Sequence, residues 1–459
     1  MSDPRFDRIE ALLRARGAQP AAALAAELEV SQPTLSRLLS AAGERIVRIG
    51  RARASRYALA HEVSRAGTHW PLYRITPAAT SEIVGELHAL QRDEFYFEPA
   101  GERPALLHED FASGLFPGLP WFLDDQRPQG FLGRAFARRI AADIDAPDDI
   151  LRWSADDTVL GLLRHGDDAP GDLVLGEASL QRALQNILAP ADTVPADQRA
   201  ERYPELADAA LRGEDVGSSA GGEQPKFAIT LRDEDGLVPV IVKFSDRMGT
   251  PSGRRWADLL ICEYHAGDVL HAHGLPAARS EIVEADARIF LQSRRFDRTP
   301  NLGRRGFVSL APLDAAYYGH ARIDWWRLAP QLQRDGWIDA DDARRLRLFG
   351  WYGVLIANTD MHLGNAALLL RDQRPLPLAP AYDMLPMRFR PASNGEIVEH
   401  RYAITLPTPE HQHDWHEAAL MARVFWQRVG ADTRISSEFR AIAGDASAML
   451  ERALQHLAG

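Results

Sequence analysis

Apolar residues recur at helical spacing at the start of the chain. In "RFDRIEALLRAR", Phe6, Ile9, Leu12 and Leu13 share one face, and Gly17 stops the run. "PAAALAAELEV" predicts a second short helix, with Pro20 in its first turn. "SQPTLSRLLSAAG" predicts a third, with Ser31 as N-cap, Leu35, Leu38 and Leu39 turned inward and Gly43 closing it. The period then changes. "RIVRIGRARASRYAL" alternates apolar and basic residues around Gly50, as a two-stranded hairpin does. From about Arg65 to Arg212 the pattern is mixed and punctuated by Pro and Gly. "FYFEPAG" and "PGDLVLG" read as short strands, and "PALLHEDFASGLFPGLPWFLDD" as an irregular apolar loop. "GFLGRAFARRIAAD" and "SLQRALQNILA" read as helices, and "APADTVPADQRAERYPELADAALRG" as a Pro-rich connection into another. No repeat and no catalytic spacing stands out here. Beyond it, "FAITL" and "VPVIVKF" are apolar runs joined by a charged turn with Gly236, an antiparallel hairpin. "WADLLICEYHAGDVLHAHGL" follows with helical spacing and ends at Gly274.

Charge divides the same map. The chain has 459 residues and a net charge of −11, enough for about two to four domains. Residues 1–60 hold ten Arg against six Asp and Glu, a balance of +4, so the remainder carries −15. A small basic module is joined to a large acidic body. Three helices followed by a basic hairpin predict a winged helix-turn-helix head over residues 1–62. Its third helix would enter the major groove, with Ser31, Gln32, Thr34, Ser36 and Arg37 as contacts. Arg48, Arg51, Arg53 and Arg56 on the wing would neutralise phosphates. The other reading is a helical module that binds protein, with solvated arginines. One cysteine, Cys262, excludes an internal disulfide framework and a Cys-rich zinc site. No apolar run is long enough to span a membrane, and "MSDPRFDRIE" has no apolar core, so a cytoplasmic protein is expected.

The candidate chemistry lies in the acidic body. Lys226 and Lys243 are the chain's two lysines. Lysine is a compact point charge where arginine is a wide fork, and it suits a site that takes one ammonium between phosphate oxygens. "GSSAGGEQPKF" places Gly221 and Gly222 before Lys226, a loop whose backbone N–H groups can approach an anion, though it lacks Walker spacing. Glu263 either pairs with Lys243 or is an ordinary surface glutamate. "IANTDMHLGN" sets Asp360 and Asn365 five apart, and "APAYDM" adds Asp383. D-x-x-x-x-N, a short hairpin and an isolated Asp form the protein-kinase order: a base, two Mg²⁺ ligands and a phosphate-contacting lysine on a strand.

At these residues the chain resembles the HipA family of bacterial serine/threonine kinases, the toxins of type II toxin–antitoxin systems. "SAGGEQPKF" is similar to that family's Gly-rich segment, "IVKFS" to its lysine strand, "SRRFDR" to its hinge, "IANTDMHLGN" to its catalytic loop and "APAYDM" to its metal segment. The resemblance covers roughly residues 90–435, and the added head resembles the YjjJ branch, also called HipH. It implies an α+β, bilobal protein-kinase-like fold. Residues 63–212 would form an N-terminal HipA-like region and the start of the small lobe, 213–300 the small lobe, and 301–459 a helical large lobe. ATP and Mg²⁺ would be the cofactors. Asp360 would be the base and Lys243 the phosphate lysine, with Asn365 and Asp383 holding the metal. Ala220, Gly221, Gly222, Glu223, Gln224 and Lys226 would cover the phosphates. Arg294, Arg295 and Phe296 would border the adenine, and His362 would support the loop. The family often has an acidic residue where this chain has Arg294. Ser219, with Ser218 beside it, falls where the family is autophosphorylated and inactivated. Implied partners are a protein substrate, such as an aminoacyl-tRNA synthetase or another translation component, and DNA through the head. A homodimer is left open, as is whether the head serves as antitoxin. Two further readings stand beside the kinase: a transcriptional regulator whose kinase-like body senses a ligand, and a metal-dependent nuclease reusing Asp360 and Asp383.

Overall fold

The computed structural model describes residues 4–50, 55–103, 105–190, 193–213, 224–234 and 236–457. Ser218 to Glu223, and with them most of the Gly-rich segment, lie outside the described residues, as do Arg51 and Arg53.

The head begins with helices Pro4–Arg16, Ala21–Glu27 and Gln32–Ala41. Ser31 caps the third by accepting from the Thr34 N–H. Phe6, Ile9, Leu13, Leu24, Leu35 and Leu39 close one small core with Ile46 and Leu59. Strands Ile46–Ile49 and Arg56–Leu59 pair antiparallel. Pro20 departs from its expected place. With Gln19 it forms a third strand on the outer side of Arg56–Leu59, and the second helix starts one residue later. Proline has no N–H to donate, which suits an edge position.

The middle region is built on a five-stranded antiparallel sheet. Its order is Leu115–Phe116, Phe95–Pro99, Ser81–Ala89, His69–Ile75 and Leu173–Leu175. The alternation misses its two longest strands because each carries a residue that discourages a strand reading, Pro71 and Gly85. Gly85 is needed there: a Cβ would lie 2.3 Å from the Glu98 carbonyl oxygen on the next strand. Helices Gly130–Ile144, Ala155–His165 and Glu177–Leu188 complete the region.

The small lobe is a second five-stranded sheet, in the order Ser280–Ala285, Arg288–Arg294, Gly236–Phe244, Lys226–Asp233 and Thr193–Pro195. One face packs Phe227, Leu231, Val240, Val242 and Phe290 against Tyr203, Ala207 and Ala210 of the helix Arg199–Arg212. Side chains alternate along a strand, so Lys226 and Lys243 project from the other face, and the register sets them directly opposite each other. The helix Pro251–Ala272 packs under that face. The large lobe is helical. Ala340–Leu355, Gln412–Ala431 and Ser437–Leu457 bury Trp351, Tyr352, Trp415, Phe425, Trp426 and Phe439. A two-stranded ribbon, Phe307–Ser309 with Ala367–Leu369, stands beside the loop that follows Ala340–Leu355.

Candidate active site

The cleft between the lobes is organised by one ammonium. Lys243 is buried, and its Nζ donates to Glu263 Oε1 at 2.6 Å and Oε2 at 2.8 Å. The same Nζ pairs with Asp383 from the large lobe. Glu263 is therefore the partner of Lys243, and the surface reading of this glutamate is set aside. Burial alone would lower the Lys243 pKa, but Asp383 and Glu263 outweigh it and hold the ammonium above its ordinary value. Burial pushes the Glu263 carboxyl up against the pull of Lys243. Asp383 is also buried, yet Lys243 and then Lys226 keep its carboxyl below the ordinary range.

The large-lobe residues are brought to the same place by a cross-linked pair of loops. Asn358 performs an Asx turn: its Oδ1 accepts from the Asp360 N–H at 3.0 Å. Its Nδ2 donates to the Asp383 carbonyl at 3.2 Å, joining the two loops. Tyr382 makes a second joint, its hydroxyl donating to the Gly364 carbonyl at 2.9 Å. Asn365 is buried and donates to the Asp360 carbonyl at 2.8 Å. The Asp360 side chain is 46% exposed, at the open side of the site, with His362 Nε2 3.9 Å from its Oδ1. His362 Nδ1 accepts from the Gly364 N–H at 3.0 Å, so this ring also shapes the loop. Asp383 has φ +55, a left-handed conformation that few side chains adopt without support, and the Asn358 bond holds its carbonyl there. Asn358 and Tyr382 were not singled out by spacing. The signal for Asn358 was legible in N-x-D, an amide two residues before the carboxylate. Tyr382 offered none, because its role depends on a loop 18 residues away.

The three hinge residues diverge. Arg294 is exposed and lines a cavity of about 530 Å³ with Tyr264, Arg279 and Gln292. Arg295 commits its guanidinium to Asp297 at 2.9 and 3.0 Å and to Asp168 of the middle region at 3.1 Å. Its guanidinium is thus tied into the joint with the middle region. Phe296 stacks on Tyr382 with ring centroids 5.6 Å apart, one residue from Asp383. Cys262 is fully buried and its thiol is pushed well up by that burial, so it is no nucleophile.

In the head, Gln32, Ser36 and Arg37 are exposed, whereas Ser31 and Thr34 bond each other at the helix start, 3.0 Å apart. Arg48 donates to Ser55 Oγ at 2.9 Å and Arg56 to the Ala18 carbonyl at 2.6 Å.

Residues 218–453 match the model of the HipA-like C-terminal domain, and residues 66–184 match that of the YjjJ-like toxin, middle domain. Toxin YjjJ of Escherichia coli (strain K12) is 36% identical over 93% of this chain and 94% of its own length. The chain belongs to the YjjJ-like toxins of the HipA-like family. HipA of Shewanella oneidensis MR-1, solved with HipB and operator DNA, aligns with a TM-score of 0.51 at 14% identity. It covers 83% of this chain and 97% of its own. The bilobal kinase-like fold of this YjjJ-like chain is thus that of HipA. Its middle region, which showed no motif in the sequence, is a family domain in its own right. No helix among the described residues is long and apolar enough to cross a membrane.

Proposed function

We propose that this YjjJ-like protein is an ATP- and Mg²⁺-dependent serine/threonine protein kinase. The observation that carries the reading is the triad Glu263–Lys243–Asp383, which ties the small-lobe sheet, the helix Pro251–Ala272 and the large lobe through one buried ammonium. The donor set fits the cofactor. Asp383 and Asn365 offer the hard oxygen ligands that Mg²⁺ takes, and Lys226 stands opposite Lys243 as a second cation above them. Bound Mg-ATP would supply the phosphoryl group and neutralise its charge. The chain's own residues position and accept. Lys243 and Lys226 would hold phosphate oxygens, and Gln224 is read, with the Gly-rich segment before it, as what would cover them. Asp360, at the open side of the site, takes the proton from the target hydroxyl. Asn358 and His362 fix the loop that presents Asp360. Phosphate on Ser219 or Ser218 would compete for the same donors, so self-phosphorylation there would switch the enzyme off.

The head is read as a winged helix-turn-helix that binds DNA through Gln32, Ser36 and Arg37. The HipA relative was solved with a separate HipB and operator DNA. Here the corresponding partner function would sit in the same chain. A translation component as the phosphorylated target rests on the family resemblance.

The deciding assay incubates the purified protein with γ-labelled ATP and Mg²⁺ beside Asp360→Asn, followed by phosphosite mapping. Label at Ser218 or Ser219 in the wild type alone is the expected result. If both proteins bind ATP and neither is labelled, the ligand-sensing regulator replaces the kinase.

A further inference from the structure

The middle sheet carries a second cluster of metal-ligating side chains, far in sequence from the kinase motifs. Its position follows from register. His69 lies opposite His88, and Glu86 opposite Glu98, on three adjacent strands. Glu86 and His88 are two residues apart, so all four side chains leave the same face. The ligand atoms of Glu86, His88 and Glu98 converge, and His69 stands beside Glu86. His69 Nε2 is 3.5 Å from Glu86 Oε1, His88 Nε2 is 3.6 Å from Glu86 Oε2, and His88 Nε2 is 3.9 Å from Glu98 Oε2. One ligand atom each from Glu86, His88 and Glu98 lies within 4.8 Å of the others. A tetrahedral zinc ion, with bonds of about 2.0–2.2 Å, sets its ligands roughly 3.3 Å apart, so separations of 3.5 to 3.9 Å, and any up to the 4.8 Å bound, would shorten on binding.

Two further observations point to a ligand. His88 Nε2 is buried and makes no hydrogen bond, although two carboxylates stand close to it. A buried ring nitrogen without a hydrogen-bond partner, held among carboxylates, is what a metal cation would satisfy. His69 has the outer-sphere support usual for a metal ligand: its Nδ1 is 3.1 Å from Thr68 Oγ1, leaving Nε2 to face the cluster.

We propose that Glu86, His88 and Glu98, with His69 beside them as the fourth ligand drawn in on binding, hold a divalent transition-metal ion of the zinc class. Two imidazoles and two carboxylates suit such an ion better than Mg²⁺. The site opens into a cavity of about 720 Å³ whose other wall is Val47, Arg48 and Gly50 of the head. Tyr96, 5.5 Å from the His88 ring, belongs to the apolar cluster that seats the head through Ala18, Ile49 and Ala58. The ion would therefore stiffen the surface on which the head rests.

The test uses the full-length protein, stripped with chelator and free of nucleotide. It carries Asp383→Asn, so that the kinase cleft does not contribute. Co²⁺ titration should give visible d–d absorption at one equivalent, displaced by Zn²⁺. His88→Gln and, separately, Glu98→Gln should weaken binding at least tenfold; Glu98 is half exposed, so its variant keeps the test valid if the His88 variant misfolds. Absence of stoichiometric binding, or a cobalt spectrum that neither substitution changes, would overturn the assignment.

Discussion

A single buried ammonium facing two carboxylates makes Lys243 the residue with most at stake. Lys243→Met would leave Glu263 and Asp383 confronting each other without the ammonium that bonds them both, with Lys226 still nearby. Breaking a buried pair by removing one partner costs about 3–5 kcal/mol, so a lower melting temperature is expected along with loss of phosphoryl transfer. Adding Glu263→Gln should recover part of the stability and none of the activity, because the carboxylate repulsion is relieved while the phosphate contact stays absent. Lys243→Arg should also be inactive. A guanidinium would pair bidentately with Glu263 alone, whereas the compact ammonium meets Glu263 and Asp383 through one nitrogen. Asn358 is a positioning residue and predicts a different signature. Asn358→Ala removes the bonds to the Asp360 N–H and the Asp383 carbonyl. Misplacement of a catalytic group by about 1 Å can cost roughly 100-fold. Steady-state kinetics should show kcat lowered about 10- to 100-fold with KM for ATP changed little. A rise in KM alone would mean that Asn358 serves nucleotide binding.

At the scale of elements, the hinge is fixed to the middle region by ions. Arg295 and Arg298 share Asp297 and Asp168, with Arg298 at 2.7 and 2.8 Å. Burial would raise both carboxyls, but Arg295 and Arg298 outweigh it and hold them well below their ordinary range. A depressed folded pKa contributes stability above the unfolded value and loses it as pH falls through the folded one. Arg295→Met should therefore melt well below the wild type at pH 7, and the gap should narrow as pH falls below about 4. A gap constant across that range would show that packing, not charge, carries the effect. This joint also marks how far the sequence can be read. The head helices, the lysine hairpin and the loops around Asp360 and Asp383 were legible because their signals are local: a period, a cap, a fixed spacing. The partner of Arg295 was not, since Asp168 lies 127 residues away and nothing in "HGDDAP" names it. Glu263 stood between these cases, with its helix legible and its pairing with Lys243 one of two readings that spacing left open. The middle sheet was obscured by Pro71 and Gly85, residues that tertiary context accepts and local propensity disfavours.

Across the whole molecule, the head is seated by apolar contact as well as by the chain that joins it. Ala18, Ile49 and Ala58 of the head meet Leu90 and Tyr96 of the middle sheet. Arg92 reaches back to the Ala15 carbonyl at 2.6 Å. The body's own core, however, runs from the middle region through the large lobe without the head helices. The residues proposed to meet nucleotide, Lys226, Lys243, Asp360, Asn365 and Asp383, all belong to that body. Removing residues 1–62 should thus abolish specific DNA binding and leave ATP affinity within about threefold. The cut exposes Leu90 and Tyr96, so the truncated body should gain a sticky patch and associate at high concentration. Leu90→Ser with Tyr96→Ser in the truncated chain should suppress that association without changing ATP affinity. ATP binding by calorimetry and size by light scattering separate the cases. Lost ATP binding in a monodisperse, folded body would mean that the head completes the kinase site rather than resting upon it.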